Sequence, residues 1–320
     1  MKAIIVHEFG SPEVLKFEEA ETPQPTGTQV LVRVKAIGVN PVETYIRSGN
    51  YPGVPPLPYT PGKDASGVVE AVGENVTKWK AGDRVYTANS LSGTYAEYTL
   101  CDESQLAFLP DNVTFAQGAG VFTPYATAYR ALFQKAKAVS GETVLIHGAS
   151  GGVGIAATQW AKNADLTVIG TASSDEGKKL VAEQGADHVL DHTDDAHLVE
   201  INSLTGGKGV DVIIEMLANV NLQKDFEVLK MFGRITVVGN RGSLDFNPRV
   251  IMGKDAAVYG MALYNSSQAD RDEIHGAIFE GLSKGFLHPI IRKSIPLAEA
   301  AAAHHEVIEG KALGKIILVP

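Results

Sequence analysis

The chain has 320 residues and a formal net charge of −9 at pH 7. That length accommodates two domains with cores of their own, and the acidic balance gives no electrostatic case for nucleic acid or an anionic membrane. The single cysteine, Cys101, excludes an intrachain disulfide and a cysteine-held structural zinc. The opening residues Met1–His7 lack an apolar signal core, and no apolar run nears the ~20 residues of a membrane span. A cytoplasmic protein is expected.

Residues 1 to 120 read as a β domain. Strands are expected at Ala3–His7, Gln29–Ile37, Asp64–Val72, Arg84–Thr87 and Thr94–Leu100. Prolines 52, 55, 56, 58 and 61 make Tyr51–Gly62 a loop, because proline cannot donate to a central ladder. Helix and strand patterns then alternate. Helices are expected at Tyr125–Ala138, Gly152–Asn163, Asp175–Gln184, Ala196–Leu204 and Val220–Lys230. Strands are expected at Thr143–His147, Thr167–Thr171, His188–Leu190, Val210–Glu215, Arg234–Val238 and Ala257–Met261. Such alternation specifies right-handed βαβ units and a doubly wound parallel sheet. The C-terminal segment has helix patterns at Ser267–Lys284 and Leu297–Gly310 and ends in the strand-like Lys315–Val319. The doubly wound sheet is complete by then, so this strand is expected to return to the β domain. The expected domains are 1–124 with 265–320, mainly β, and 125–264, α/β.

The centre of the chain is Val144–Ala157, an apolar strand that runs through a glycine cluster into a helix. Its turn spells Ala149-x-Gly151-x-x-Gly154, the dinucleotide-binding pattern with alanine in the first glycine slot. Gly151 would let backbone approach a pyrophosphate, and Gly154 would let helix pack closely on strand. The free N–H groups at the helix start suit phosphate. Ser150, Gly151, Gly152 and Val153 are the candidate contacts. A tight strand–helix turn in another α/β protein is the alternative.

Gly82-Asp83-Arg84-Val85 and Gly38-Val39-Asn40, with this domain order, resemble the medium-chain dehydrogenase/reductase superfamily. Residues 38–49, 57–62, 92–98 and 147–154 resemble its quinone oxidoreductase branch. Glu215–Leu222, EMLANVNL, is similar to the ζ-crystallin group within that branch. The resemblance covers nearly the whole chain. It implies a Rossmann domain beside a GroES-like catalytic domain. The implied activity is NADPH-dependent reduction of quinones, ortho-quinones favoured, with the acceptor in the interdomain cleft beside the nicotinamide. Zinc alcohol dehydrogenases of the superfamily carry Cys where Asn40 stands and Gly-His-Glu where Gly62-Lys63-Asp64 stands. An amide and a charged amine are not zinc ligands, so no metal is expected. The adjacent His304 and His305 are read as a solvated helix face.

Thr171-Ala172-Ser173-Ser174 follows the second strand with no carboxylate at its tip, where an NAD-preferring protein would hold the ribose with an acid. Ser173 and Lys178 are candidates for a 2′-phosphate, and NADPH is expected over NADH. A simple helix cap by the serines is the alternative. The resemblance adds His192 to that phosphate, Asn221 to the cofactor, and Met261, Ala262 and Leu263 beside the nicotinamide. Val238, Gly239, Asn240 and Arg241 end a parallel strand where doubly wound sheets open their ligand crevice. Gly239 as a turn residue, and Met261 and Leu263 as core, are the plainer alternatives.

With no metal and no nucleophile pair, the cofactor must carry the chemistry. Asn40, Tyr45, Tyr51 and Thr127 are the candidate catalytic polar groups. The resemblance places Tyr45 beside the nicotinamide; a structural aromatic is its alternative. An enone or enoyl-thioester reductase is the nearest alternative enzyme. The ζ-crystallin group also implies a crystallin role or AU-rich RNA binding, which the acidic charge does not support. Val258–Tyr264 is expected to be an apolar sheet edge pairing in a homodimer or homotetramer.

Overall fold

The computed structural model describes residues 1–320, which fall into two units, Met1–Thr123 with Phe279–Pro320 and Pro124–Ile278. Unit 1 opens with β1 (Lys2–Val6), β2 (Leu15–Glu19), β3 (Gln29–Gly38), α1 (Pro41–Arg47), β4 (Asp64–Val72) and β5 (Arg84–Thr87). It continues through β6 (Tyr98–Asp102), β7 (Leu106–Phe108) and α2 (Phe115–Ala119). Unit 2 holds α3 (Thr127–Tyr129), β8 (Thr143–Ile146), α4 (Gly152–Asn163), β9 (Thr167–Ala172), α5 (Asp175–Glu183) and β10 (His188–Asp191). Then come α6 (His197–Leu204), β11 (Val210–Glu215), α7 (Ala218–Val228), β12 (Leu229–Val237), α8 (Arg249–Lys254) and β13 (Ala257–Gly260). Helix α9 (Gln268–Lys284) leads back to unit 1, which closes with β14 (Ile291–Pro296), α10 (Ala300–Glu309) and β15 (Lys315–Val319).

Unit 2 is a six-stranded parallel sheet ordered β10-β9-β8-β11-β12-β13. The order reverses between β8 and β11, which makes the C-terminal ends of these two strands the switch point. Leu145, Ile169, Ile213 and Ile235 are buried in one core with Phe226 of α7, as expected where helices cover a parallel sheet. In unit 1, β15 lies antiparallel to β3, pairing Ile317 with Gly38. The C-terminal strand therefore does return to the β domain. Strand β3 serves three cores, giving Val30 and Val32 to one, Val34 and Ile37 to a second and Ala36 to a third.

Several boundaries differ from the sequence reading. The helix expected at Tyr125–Ala138 is instead a π-turn at Phe122–Ala126, one α turn, and a second π stretch at Arg130–Lys135. The 3.6-residue pattern cannot register such wide turns. Helix α7 stops at Val228, and Leu229–Gly233, expected to be helix end and linker, begins strand β12. The strand expected at Thr94–Leu100 starts only at Tyr98. Tyr95–Glu97 instead reach β1 through single contacts, Ile4 N–H to the Tyr95 carbonyl at 2.8 Å among them. Strands β2, β7 and β14 and helices α1, α2 and α8 are additional. Strand β14 reads IRKSIP and buries only Ile295 fully, so no hydrophobic alternation marks it.

Candidate active site

The glycine turn sits where β8 passes into α4, at the switch point. Gly151 is the helix N-cap, in extended conformation, and Gly152 and Val153 begin the helix. Their N–H groups point off the helix end with the positive pole of its dipole. A Cβ on Gly154 would lie 2.5 Å from the Ala149 Cα and 2.5 Å from the Gly148 carbonyl oxygen. Only glycine permits helix and strand to close this tightly.

At the tip of β9, Ser174 caps α5 by accepting the Gly177 N–H at 3.2 Å, while Ser173 is exposed. The capping role thus falls to Ser174 and leaves Ser173 free for a ligand. Lys178 pairs with Asp175 at 3.0 Å and Asp191 at 3.3 Å. His192 Nδ1 meets Thr171 Oγ1 at 3.2 Å, and that oxygen also accepts the Gly148 N–H at 3.2 Å. Burial and the charge of His147 hold His192 below its ordinary pKa. One end of the sheet therefore gathers Ser150–Val153, Ser173, Lys178 and His192.

The neighbouring strand ends are tightly built. A Cβ on Gly239 would meet the Met216 carbonyl oxygen at 2.2 Å, so this glycine is required by packing between the exits of β11 and β12. Val238 donates its N–H to the Glu215 carbonyl at 2.8 Å. Asn221 Nδ2 donates to Glu215 Oε1 at 3.2 Å, and Asn240 Nδ2 to the Gly242 carbonyl at 2.6 Å. The Arg241 N–H donates to Asn219 Oδ1 at 3.0 Å. Met261, Ala262 and Leu263 follow edge strand β13 and are half-buried. Thr127 is buried on the one α turn between the π stretches, an irregularity of the kind found at functional sites.

Unit 1 places a second cluster around α1. Pro41 starts this helix, and the Glu43 carboxylate accepts the Asn40 backbone N–H at 2.8 Å. Asn40 is 3% exposed, and its amide is fully engaged. Nδ2 donates to Asp64 Oδ2 at 3.1 Å and to Glu43 Oε1 at 3.4 Å, while Oδ1 accepts from Lys315 Nζ. Asp64 also accepts from Thr123 N–H at 3.2 Å and Oγ1 at 2.7 Å. Glu43 Oε2 accepts the Tyr95 hydroxyl at 2.8 Å, and that oxygen lies 3.0 Å from His304 Nε2. His304 is therefore buried, contrary to the solvated face expected for it; His305 is half-buried, between Glu13 and Glu309. Burial holds His304 down to about 3. Burial likewise raises Glu43 and Asp64 and lowers Lys315, and each carboxylate–ammonium attraction opposes its shift. Tyr45 lies on the same helix, half-buried, and Tyr51 just beyond it.

Residues 26–133 match the family model described as alcohol dehydrogenase GroES-like domain, and residues 152–278 the one described as zinc-binding dehydrogenase. The quinone oxidoreductase of Homo sapiens is 48% identical over 321 residues, covering 100% of this chain and 98% of that protein. A 2-haloacrylate reductase of Burkholderia sp is 32% identical, covering 99% and 98%. The crystal structure of Escherichia coli quinone oxidoreductase complexed with NADPH superposes with a TM-score of 0.93 at 30% identity, covering both chains in full. This chain belongs to the quinone oxidoreductase family.

Membership of the quinone oxidoreductase family puts the unit 1 cluster in context. One matching model carries zinc in its description, but the residues around Asn40 do not fit a catalytic zinc. The amide oxygen is already taken by an ammonium, and the next position, Lys63, is a cation. Lys315, Glu43 and His304 were missed by the sequence reading, as were His147, Glu215 and Asp225 in unit 2. A weak signal existed. Lys315 opens the otherwise apolar strand KIILV, and Glu215 closes the largely apolar VDVIIE; a charge inside a buried strand needs a partner.

Proposed function

We propose that the chain is an NADPH-dependent quinone reductase that works without zinc and favours ortho-quinones. One observation carries this reading: full-length identity of 48% to a quinone oxidoreductase. The glycine turn and the acid-free tip of β9 support the choice of nucleotide. When bound, NADPH would supply the reducing equivalents. Ser150, Gly151, Gly152 and Val153 hold the pyrophosphate on backbone N–H groups at the start of α4. Ser173, Lys178 and His192 take the 2′-phosphate, Lys178 exchanging its two aspartates for it. Asn221, Val238, Asn240 and Arg241 line the nucleotide, Gly239 letting the chain pass Met216; Met261, Ala262 and Leu263 flank the nicotinamide.

Tyr45 is assigned to the acceptor oxygen as a hydrogen-bond donor, with Tyr51 and Thr127 as further polar groups. Asn40 acts differently. Its amide is saturated by Lys315, Asp64 and Glu43, so it is a positioning residue that fixes the start of α1 and thereby Tyr45. A quinone is a strong electrophile and needs no metal to polarise it.

Steady-state turnover tests this. NADPH should be preferred to NADH, 1,2-quinones to 1,4-quinones, and elemental analysis should find no stoichiometric zinc. Equal turnover with both nucleotides, or one zinc per chain lost together with activity, refutes it. The likeness to the 2-haloacrylate reductase favours activated alkenes as a second substrate class, read out in the same panel. We also propose that β13, at the sheet edge with Tyr259 37% exposed, pairs between copies in a homodimer or homotetramer. Light scattering reads this directly, and a monomer refutes it.

A further inference from the structure

Directly beneath the glycine turn, unit 2 buries two carboxylates against one imidazole. His147 follows β8 and precedes Gly148, Glu215 ends β11, and Asp225 lies on α7. Their exposures are 4%, 0% and 1%. His147 Nε2 is 2.8 Å from Asp225 Oδ1 and 3.5 Å from Glu215 Oε2. One ligand-type atom from each residue falls within 4.8 Å of the others. Glu215 Oε1 accepts from the Leu217 N–H and from Asn221. Glu215 Oε2 and Asp225 Oδ2 have no hydrogen-bond partner.

This arrangement sets two carboxylates against one imidazole and leaves two buried oxygens without donors. A single imidazolium balances one carboxylate, and the fully ionised cluster keeps a charge of −1 away from water. Buried acceptors without donors are costly. A proton on Glu215 turns its orphan oxygen into a donor and removes the excess charge. Burial, reinforced by Asp225, pushes Glu215 up to about 7, against the pull of His147. Burial also opposes charge on His147, but the two carboxylates outweigh it and raise the imidazole. The other ionisable group facing His147 is His192, from the turn after β10, which Asp191 and His197 flank in turn. The register neighbour of Glu215 on β12 is Val237, and β9 presents Thr171; neither ionises.

We propose that Glu215 takes up one additional proton beside His147 and Asp225 and that these three, as positioning residues under the glycine turn, couple nucleotide affinity to proton uptake. This rests on the reading of that turn as the pyrophosphate site. The connection is short: His147 precedes Gly148, whose N–H donates to Thr171, which in turn bonds His192. A neutral cluster tolerates an anionic pyrophosphate above it, whereas a cluster of charge −1 repels it. Affinity must therefore fall as pH rises, and binding must draw in a proton.

The test is fluorescence titration of the whole chain with NADPH and NADH from pH 6 to 8. NADH lacks the 2′-phosphate, so its slope excludes titration of that group and its effect on His192. The expected wild-type Kd rises about three- to tenfold over this range for both nucleotides. Glu215→Gln keeps an oxygen for Leu217 and Asn221 and carries a permanent N–H donor; it should flatten both slopes. Asp225→Asn, which removes the other carboxylate, should do the same and serves if the first variant does not fold. Calorimetry of the wild type in two buffers of different ionisation enthalpy should show proton uptake at pH 7. A pH-independent wild-type Kd, or equal slopes in wild type and variants, overturns the inference while leaving the cofactor reading intact. Failure of the wild type to bind either nucleotide at any pH overturns the cofactor reading and this inference with it.

Discussion

Removing the ammonium of Lys315 isolates the energetics of the buried cluster in unit 1. In Lys315→Met the stem volume is kept and the charge is lost. Asp64 loses the cation 3.9 Å from its Oδ2, and Asn40 Oδ1 loses its donor. Breaking a buried pair by deleting one partner costs ~3–5 kcal/mol. Asp64 keeps three donors, two from Thr123 and one from Asn40, which places the expected loss at ~3 kcal/mol at pH 8. The loss must depend on pH. Burial already raises Asp64 and Glu43, and losing Lys315 raises them further. A carboxyl whose folded pKa exceeds its unfolded value stabilises the fold less as pH rises through that window. The deficit should therefore shrink to ~1 kcal/mol at pH 5. His304, held down to about 3, stays neutral in the fold of both wild type and variant at these pH values, so its own linkage cancels from the deficit. Urea unfolding reads this through Trp79, a buried unit 1 reporter, in a Trp160→Phe background that silences the other tryptophan. Adding Asp64→Asn should restore much of the stability, because the unpaired charge goes with it. A loss below ~1 kcal/mol at both pH values, or a double variant as unstable as the sum of its parts, would refute the pairing.

Gly154→Val should raise the NADPH Kd by more than about tenfold and destabilise unit 2, since even a Cβ would sit 2.5 Å from Ala149 and Gly148; thermal unfolding and fluorescence titration check both. Lys178→Ala should lower NADPH affinity by about three- to tenfold and leave NADH unchanged, because only the 2′-phosphate draws this lysine from its aspartates; equal losses for both nucleotides would remove it from that role. Tyr45→Phe should lower kcat with quinones more than it raises the KM for NADPH, and unchanged turnover would end its assignment to the acceptor. Cys101 is fully buried, and burial pushes its thiol up to about 12, so a thiol reagent should label it only at the rate of unfolding; labelling within seconds in buffer would contradict this burial.

Much of unit 2 was legible in the chain. Helix α4 and strand β11 coincide with their sequence patterns, because an apolar strand, a glycine turn and a helix start are local signals. Parallel order followed from strand–helix alternation, and the return of β15 to the β domain from an apolar strand needing a sheet. The wide turns around Thr127, the short α1 and the polar strand β14 left no periodicity to find.

The sequence by itself determined the two-part architecture, the glycine turn between β8 and α4 and the absence of zinc-type ligands at Asn40 and Lys63. Those properties belong to residue types and to spacings of a few residues. Only the tertiary structure decided what surrounds Asn40, because Lys315, 275 residues away, supplies the cation that occupies its oxygen. It alone brought His147 to Asp225 across 78 residues of chain. Both clusters join charges that must be buried together to be buried at all, and such pairing leaves no periodic trace in the sequence.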